Sequence, residues 1–232
     1  MKRAQMAHAP EPAAPAPVPA PAPASAASVA SPGVPSRRRW SAADLSYIAV
    51  FAGLVAALSL LPGIPLAAGV PITLQTLAVI LTGMILGPGR GAAAVGLYLV
   101  AGLAGLPVFS GFRSGLGVLA GPSAGYLLSF PLAALVAGLL VRFLLRRIRR
   151  ARFALLFAAG LGTSFLVVHP LGIAGMMLNA NLSFPAALGA DMLFWPGDVV
   201  KNLAAAAVAL SVFAAFPKLA PGVKPGRKPA HR

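Results

Sequence analysis

The sequence predicts an all-α integral membrane protein of six transmembrane helices, and three observations predict it. The chain of 232 residues is 58% hydrophobic and only 10% charged, with a mean hydropathy of +0.84, whereas soluble domains carry about 25% charged residues. Several apolar runs approach or reach the ~20 residues that a helix needs to cross a bilayer. Prolines stand between these runs and mark their ends.

The six spans follow from the apolar runs and the prolines that bound them. We predict the spans Asp44–Leu61, Pro71–Gly87, Gly91–Leu106, Ser123–Val141, Phe153–Ile173 and Gly197–Phe216. The second and third are separated only by the turn Pro88-Gly89-Arg90, which predicts a tight helical hairpin. Residues 41–217 therefore form the predicted membrane domain.

The two ends of the chain differ in composition from this domain. Residues 1–40 are rich in alanine and proline and include a basic cluster, and residues 218–232 are basic. Neither end can build an apolar core, so both are predicted to be disordered tails, the first partly in polyproline II conformation. For the first tail a docking arm for a partner is the alternative.

The distribution of positive charge predicts the orientation. The formal net charge is +15, from 19 lysines and arginines against four acids. The tails, the Arg90 turn and the connection between the fourth and fifth spans hold 17 of those 19 cations. By the positive-inside rule, both termini are then cytoplasmic. Because the cations lie between apolar spans, and not on a polar domain, the excess does not indicate nucleic-acid binding.

The sequence lacks the residues that several kinds of catalytic and metal-binding site require. The chain has no cysteine, which excludes disulfides, thiolate metal ligands and thiol nucleophiles. It contains neither a GxxxxGK[ST] phosphate loop nor a GxSxG nucleophile motif. With three histidines and four acids, a metal site is not supported. We therefore expect a binding or transport protein with no cofactor or metal, and not an enzyme.

An acid and a base open the last span, in the segment FWPGDVVK. Asp198 and Lys201 are three residues apart and share a face if the segment is helical. Together with Arg113 they are unusual, because the outer connections are otherwise apolar and rich in glycine and proline. They either form an ion pair that satisfies only itself or bind a small polar ligand that arrives from outside. Asn202 adds an amide contact or a helix-packing contact.

Other polar groups are candidates for the same site. Arg113 in FSGFRSGLG either lies in solvent or headgroups or clamps an anionic ligand group. Gln75, beside Thr73 and Thr76, either bonds a neighbouring helix or lines a polar pocket.

Two tyrosines, a histidine and a further acid are also weighed. Tyr98 and Tyr126 are candidate ligand contacts, although packed or interfacial roles are commoner for tyrosine. His169 is expected to make a structural hydrogen bond, with proton transfer as the alternative. Asp191 is expected to be a surface residue or a contact of a lid.

The first span carries small residues at a spacing of four. Ala49, Gly53 and Ala57 form one such row, and Ala52 and Ala56 repeat the spacing beside it. A small-xxx-small row allows close approach of another helix. The row serves either packing within the bundle or docking of another membrane protein.

Four motifs occur in a fixed order along the chain: PITLQTLAV, GLPVF, the Gly-Pro-x-x-Gly-Tyr turn and PGDVVK. Their order resembles that of the BioY family, the biotin-specific S components of energy-coupling factor (ECF) transporters. The resemblance covers residues 43–216 and leaves out both tails.

This resemblance implies an ECF S-component-like bundle that binds biotin near the outer face of a prokaryotic plasma membrane. It implies that Asp198 and Lys201 contact the ureido group, that Arg113 contacts the carboxylate, and that Gln75 and Tyr98 line the pocket. It also implies that Ala49, Gly53 and Ala57 face a transmembrane coupling subunit. The resemblance further implies two cytoplasmic ATPase subunits that use the ATP, and self-association is the alternative to these partners.

Three other functions stay open at this point. A secondary transporter needs coupling-ion sites and often an inverted repeat, and no convincing repeat is seen. An S component for a different vitamin and a membrane scaffold without ligand are the other two.

Overall fold

The computed structural model describes residues 40–65, 69–148, 150 and 152–221. Both predicted tails lie almost wholly outside these residues. Within the described part the chain is helical, and the only bridges are two isolated antiparallel ones, Ile64 with Ile72 and Phe109 with Arg113. The all-α prediction is confirmed.

Seven α-helices make up the described chain. They are α1 Ala42–Ser59, α2 Gln75–Leu86, α3 Pro88–Leu103, α4 Ala124–Arg147, α5 Arg152–Asn179, α6 Phe184–Met192 and α7 Trp195–Ala215. Four of them, α1, α4, α5 and α7, are long and apolar enough to cross a membrane by length and composition. The helices α2 and α3 are shorter, and short 3-10 turns cover Ser110–Phe112, Leu116–Ala120 and Pro217–Leu219.

A capping box starts α1 and connects it to the next hairpin. The Ser41 side chain accepts from the backbone N–H of Asp44, and the Asp44 carboxylate accepts from the backbone N–H of Ser41. Such reciprocal bonds satisfy two amides that the helix leaves unpaired. Asp44 also lies 3.1 Å from Nη1 of Arg90, so one carboxylate caps α1 and pairs with α3.

The predicted hairpin of the second and third spans is present and tighter than expected. Only Gly87 separates α2 from α3, and its φ of +77° is open to glycine at little cost. Pro88 then occupies the first turn of α3, where its missing N–H leaves no bond unmade. A Cβ on Gly138 of α4 would lie 2.5 Å from the Pro88 nitrogen, so α4 crosses directly over this turn.

The start of the second predicted span and the end of the fifth are corrected by the structure. Residues 71–74 are not helical, because Ile72 exchanges both backbone hydrogen bonds with Ile64. The fifth helix continues to Asn179, beyond the predicted end at Ile173. Within it, Ser164–Val168 form a π-helical turn, a feature often found at functional sites.

The long outer connection before the last span also contains a helix that the sequence analysis did not predict. This helix, α6, follows Ser183, which is extended, and has Pro185 in its first turn. It has nine residues, so it is far shorter than a membrane span.

Buried apolar side chains form two clusters along the bundle. One surrounds Tyr98, Phe109, Phe130 and Phe194, and the other surrounds Ile80, Met84, Leu156 and Phe213. Many large apolar side chains lie on the outside, for example Leu166 and Leu178, which are 73% and 78% exposed. An apolar exterior of this extent is what a lipid environment requires.

Candidate ligand-binding site

A cavity lies beside the first cluster, with about 670 Å³ of empty space that is partly open to solvent. Polar groups line part of it: Thr73, Gln75, Thr76, Ser110, Arg113, Ser123, Tyr126, Asp198 and Lys201. The apolar lining consists of Val70, Pro71, Phe109, Val118, Leu127, Phe130, Val168 and Phe194.

The acid and base of the FWPGDVVK segment are both on this cavity wall. Nζ of Lys201 lies 2.8 Å from Oδ1 of Asp198, and it also donates to the Thr76 hydroxyl at 3.4 Å. Asp198 is 3% exposed and Lys201 is 7% exposed. Asp198 belongs to the first turn of α7, where the helix dipole favours a carboxylate. The predicted pair therefore forms, and the cavity reaches both of its members.

Gln75 is held by a tyrosine that lies behind it. Gln75 Nε2 lies 2.6 Å from the Tyr98 hydroxyl oxygen, and that hydroxyl donates to the backbone carbonyl of Val108 at 3.3 Å. Gln75 lines the cavity, whereas Tyr98 does not. Ser59 Oγ also donates to the Val108 carbonyl, so α1, α2 and α3 meet at this point.

Tyr126 and Asp191 meet at the other side of the cavity. Tyr126 lines it and donates from its hydroxyl to Oδ1 of Asp191 at 2.6 Å. The expectation of Asp191 as a surface residue is wrong, because this residue is 0% exposed; its alternative role as a contact of a lid stays a prediction. The helix α6 carries it inward, and Trp195 Nε1 donates to its second oxygen at 2.9 Å.

His169 lies between the two buried acids. Its Nδ1 is 2.9 Å from Oδ1 of Asp191, and its Nε2 is 3.3 Å from Oδ2 of Asp198. The second contact does not meet hydrogen-bond geometry. The expected structural hydrogen bond of His169 is thus present, and it connects to the cavity wall through Asp198.

Asn202 lies outside the cavity, next to the π-helical turn. Its Nδ2 donates to Ser164 Oγ at 3.1 Å and to the Asp198 carbonyl at 2.8 Å. A Cβ on Gly160 would come within 2.3 Å of the Asn202 Oδ1 atom. In this structure the side chain packs α7 against α5, which is the packing alternative raised from the sequence.

Arg113 lies at the rim of the cavity and is exposed. Its Nε donates to the Ser110 carbonyl at 3.2 Å, and within the described chain it forms no ion pair with a carboxylate. The guanidinium consequently retains donors for a ligand. Ser110 and Ser123 also line the cavity, and nothing in their sequence context distinguished them from turn residues.

The two small-residue rows of α1 point in different directions. Ala52 is buried and Ala56 is partly buried, whereas Ala49, Gly53 and Ala57 are exposed. A Cβ on Gly53 would meet nothing within 4 Å. The second row packs inside the bundle, and the first presents a smooth outer face.

This fold and this cavity are those of a helical membrane protein with a candidate site for a small molecule that has polar and apolar parts. The chain belongs to the BioY family, whose model matches residues 33–218. It is 41% identical over 181 residues to "Biotin transporter BioY" of Rhodobacter capsulatus, over 73% of this chain and 92% of that protein. It is 38% identical over 185 residues to "Biotin transporter BioY" of Rhizobium etli, over 77% of this chain and 97% of that protein.

A solved structure has the same fold. The crystal structure of the S-component for biotin from an ECF-type ABC transporter superimposes with a TM-score of 0.70 at 27% sequence identity. The match covers 74% of this chain and 91% of that one.

Proposed function

We propose that this chain is the high-affinity biotin-binding S component of an ECF-type transporter and takes up biotin from outside the cell. The observation that carries the proposal is the buried Asp198–Lys201 pair on the wall of a cavity that is lined by both polar and apolar side chains. Family membership and the solved biotin S component support the same assignment.

The chemistry of biotin matches the groups around the cavity. Its cyclic ureido group has one carbonyl acceptor and an N–H donor on each side of it, so Asp198 accepts from one N–H and Lys201 donates to the adjacent carbonyl. The thioether ring takes the apolar walls, where Phe109, Phe130 and Phe194 lie. Arg113 at the rim binds the valerate carboxylate, and Gln75 and Tyr126 complete the polar contacts.

The proposed membrane arrangement has six spans, formed by α1 to α5 and α7, with both termini in the cytoplasm. The cations support it, because Arg142, Arg146 and Arg147 lie near the end of α4 and Arg152 begins α5. By the positive-inside rule this turn faces the cytoplasm. The cavity, at the start of α7, then opens toward the outer face of a prokaryotic plasma membrane.

The proposed partners are a transmembrane coupling subunit and two cytoplasmic ATPase subunits. The exposed row of Ala49, Gly53 and Ala57 supports the contact with the coupling subunit, because it allows another helix to approach closely. ATP is used by the partner subunits only, and this chain binds no cofactor besides its ligand. Self-association of the S component is the alternative use of this face.

Equilibrium binding of biotin to the purified protein in detergent, without partners or ATP, tests the function. Saturable binding at one site per chain is expected. Folded protein that binds no biotin contradicts the proposal, and competition by a different vitamin points to an S component of other specificity. Uptake that depends on the proton gradient and survives loss of ATP identifies a secondary transporter instead.

A further inference from the structure

A buried row of charged groups leads from α6 to the cavity through His169. Asp191 of α6 lies at one end, and Asp198 and Lys201 of α7 lie at the other, with His169 of α5 between the two acids. His169 is itself 3% exposed and does not line the cavity. It therefore contacts the pair on the cavity wall from behind.

The surroundings of Asp191 identify it as an ionised carboxylate. Tyr126 donates to it at 2.6 Å, and Trp195, whose indole nitrogen can only donate, does so at 2.9 Å. His169 Nδ1 lies within 2.9 Å of the oxygen that already accepts from Tyr126. A buried carboxylate that accepts from two donors is stabilised in its charged form. An ionised carboxylate oxygen can only accept, so the 2.9 Å contact places a proton on Nδ1 of His169.

The second nitrogen of His169 then faces a second acid. A neutral imidazole with its proton on Nδ1 directs a lone pair from Nε2, and here Nε2 lies 3.3 Å from Oδ2 of Asp198. Two acceptors at this distance repel, whereas an imidazolium presents an N–H to each acid. The contact does not meet hydrogen-bond geometry as it stands, so an N–H bond to Asp198 requires a small rotation of the ring or of the carboxylate.

The net charge of the cluster also indicates that His169 is an imidazolium. Asp191 and Asp198 contribute two negative charges and Lys201 contributes one positive charge, so a neutral His169 leaves one buried charge without compensation. Such a charge is costly in a medium of low dielectric constant. Two aromatic rings also lie near His169, with centroids 4.7 Å (Phe165) and 6.3 Å (Trp195) from its own, and neither of them carries a charge.

We infer that His169 is a positioning residue for ligand recognition, an imidazolium that Asp191 holds and that fixes the Asp198 carboxylate for the ligand. Asp198 then has one oxygen on Lys201 and the other on His169. Each carboxylate oxygen has a further lone pair, so the carboxylate can still accept from the N–H group of a ureido ligand that lies beside the carbonyl bound by Lys201. The identity of that ligand rests on the proposed function, whereas the charge state of His169 does not.

The charge state is measurable without any ligand. The chain has three histidines, and the full-length H8Q/H231Q variant, purified on a tag without histidine, leaves His169 as the single one. Its ¹⁵N-histidine spectrum at neutral pH is expected to show two imidazole nitrogens with nearly equal shifts, as in an imidazolium. Two widely separated shifts identify a neutral ring and overturn the inference.

The positioning role is tested by a charge-restoring double variant. His169→Asn keeps an N–H donor but leaves the cluster with one negative charge, and we expect it to weaken biotin binding about 100-fold. Adding Asp191→Asn restores neutrality around the Asp198–Lys201 pair, so H169N/D191N is expected to bind about tenfold more tightly than H169N. A merely structural histidine predicts the opposite order, because the double variant then loses two sets of contacts.

The outcomes separate this inference from the proposed function. If the wild-type protein binds no biotin, the proposed function fails and the spectrum still decides the charge of His169. If the wild type binds biotin and folded H169N binds it equally well, the positioning role is refuted whatever the spectrum shows. Melting and size-exclusion profiles establish that each variant is folded.

Discussion

Lys201 and Asp198 form a buried ion pair in which Nζ lies 2.8 Å from Oδ1, and both residues line the same cavity. A buried pair of this kind costs free energy of desolvation, and apolar replacements are often as stable. Because the pair lies on a cavity wall, both charges can contact a ligand. This is a functional role beyond packing of the helices. This makes the pair the first target for mutation.

Asp198→Ala is expected to abolish measurable biotin binding. The change removes the acceptor for one ureido N–H group and leaves Lys201 as an unpaired buried cation, at a cost of about 3–5 kcal/mol. Titration calorimetry with the purified variant measures the loss. Asp44→Asn is the control, since it breaks a pair outside the cavity and is expected to leave the affinity unchanged. An Asp198→Ala protein with wild-type affinity contradicts the assignment of this residue.

Arg113→Gln is expected to reduce the preference for a negatively charged ligand tail. The guanidinium lies exposed at the rim, so its attraction to the biotin carboxylate is worth about 1 kcal/mol, or roughly five- to tenfold in affinity. Wild type and variant are compared with biotin and with its neutral primary amide. The variant is expected to bind the two ligands nearly equally, and added salt is expected to narrow the wild-type difference.

The control for this comparison is Lys218→Gln, which removes a cation outside the cavity. It is expected to retain the wild-type preference. If Arg113→Gln still distinguishes the acid from the amide as wild type does, Arg113 does not bind the carboxylate.

Tyr98→Phe is expected to weaken biotin binding about fivefold, or about 1 kcal/mol. The hydroxyl of Tyr98 is the group that holds the Gln75 amide, at 2.6 Å, although Tyr98 itself does not reach the cavity. Removing it leaves the amide free to rotate away from the ligand. Tyr47→Phe is the matched control, because Tyr47 is 41% exposed and lies outside the cavity. Equal affinities for the two variants argue against a positioning role of Tyr98.

Much of the fold follows from local sequence patterns. The helices α1, α4 and α7 are apolar runs that prolines and caps delimit, so their existence could be predicted and their ends were placed within a few residues, except that α4 continues past Val141 to Arg147. The α2–α3 turn was also predictable, because Gly87 and Pro88 end one helix and begin the next.

The surroundings of Asp191 could not be predicted from spacing. Its partner Tyr126 is 65 residues away along the chain, and α6, which carries the acid inward, is only nine residues long. One indication was available: Ser183 followed closely by Pro185 is a typical helix start. Tertiary contacts decide which side of such a short apolar helix faces the bundle. The burial of Asp191 therefore follows from the structure and not from the sequence.

The pairing of charges was only partly predictable. The i,i+3 spacing of Asp198 and Lys201 predicts their contact. His169 joins them because the continuous helix α5, through its π-helical turn, brings His169 to the start of α7. A change in helical period of this kind has no reliable sequence pattern.

Gly175→Ala is expected to destabilise the bundle. A Cβ at Gly175 would lie 2.5 Å from the backbone nitrogen of Gly125, so α4 and α5 must separate, at a cost of about 1–3 kcal/mol or more. Gly162→Ala in the same helix is the control, because a Cβ there meets nothing within 4 Å and alanine favours a helix. Thermal melting in detergent measures both, and a Gly175→Ala melting temperature at or above that of Gly162→Ala contradicts the close crossing.

Gly53→Leu is expected to separate binding from uptake. Gly53 is exposed, and a Cβ at this position would meet nothing within 4 Å, so a larger side chain fits the isolated chain and biotin affinity stays unchanged. In the proposed complex the same side chain holds the coupling subunit away from the α1 face, so uptake of labelled biotin by cells that contain all subunits is expected to fall at least about tenfold. Gly96→Leu in α3, where a Cβ also meets nothing within 4 Å, is expected to keep both activities. If Gly53→Leu transports like wild type, the exposed row on α1 is not the docking face, and the coupling subunit must contact another surface of the bundle.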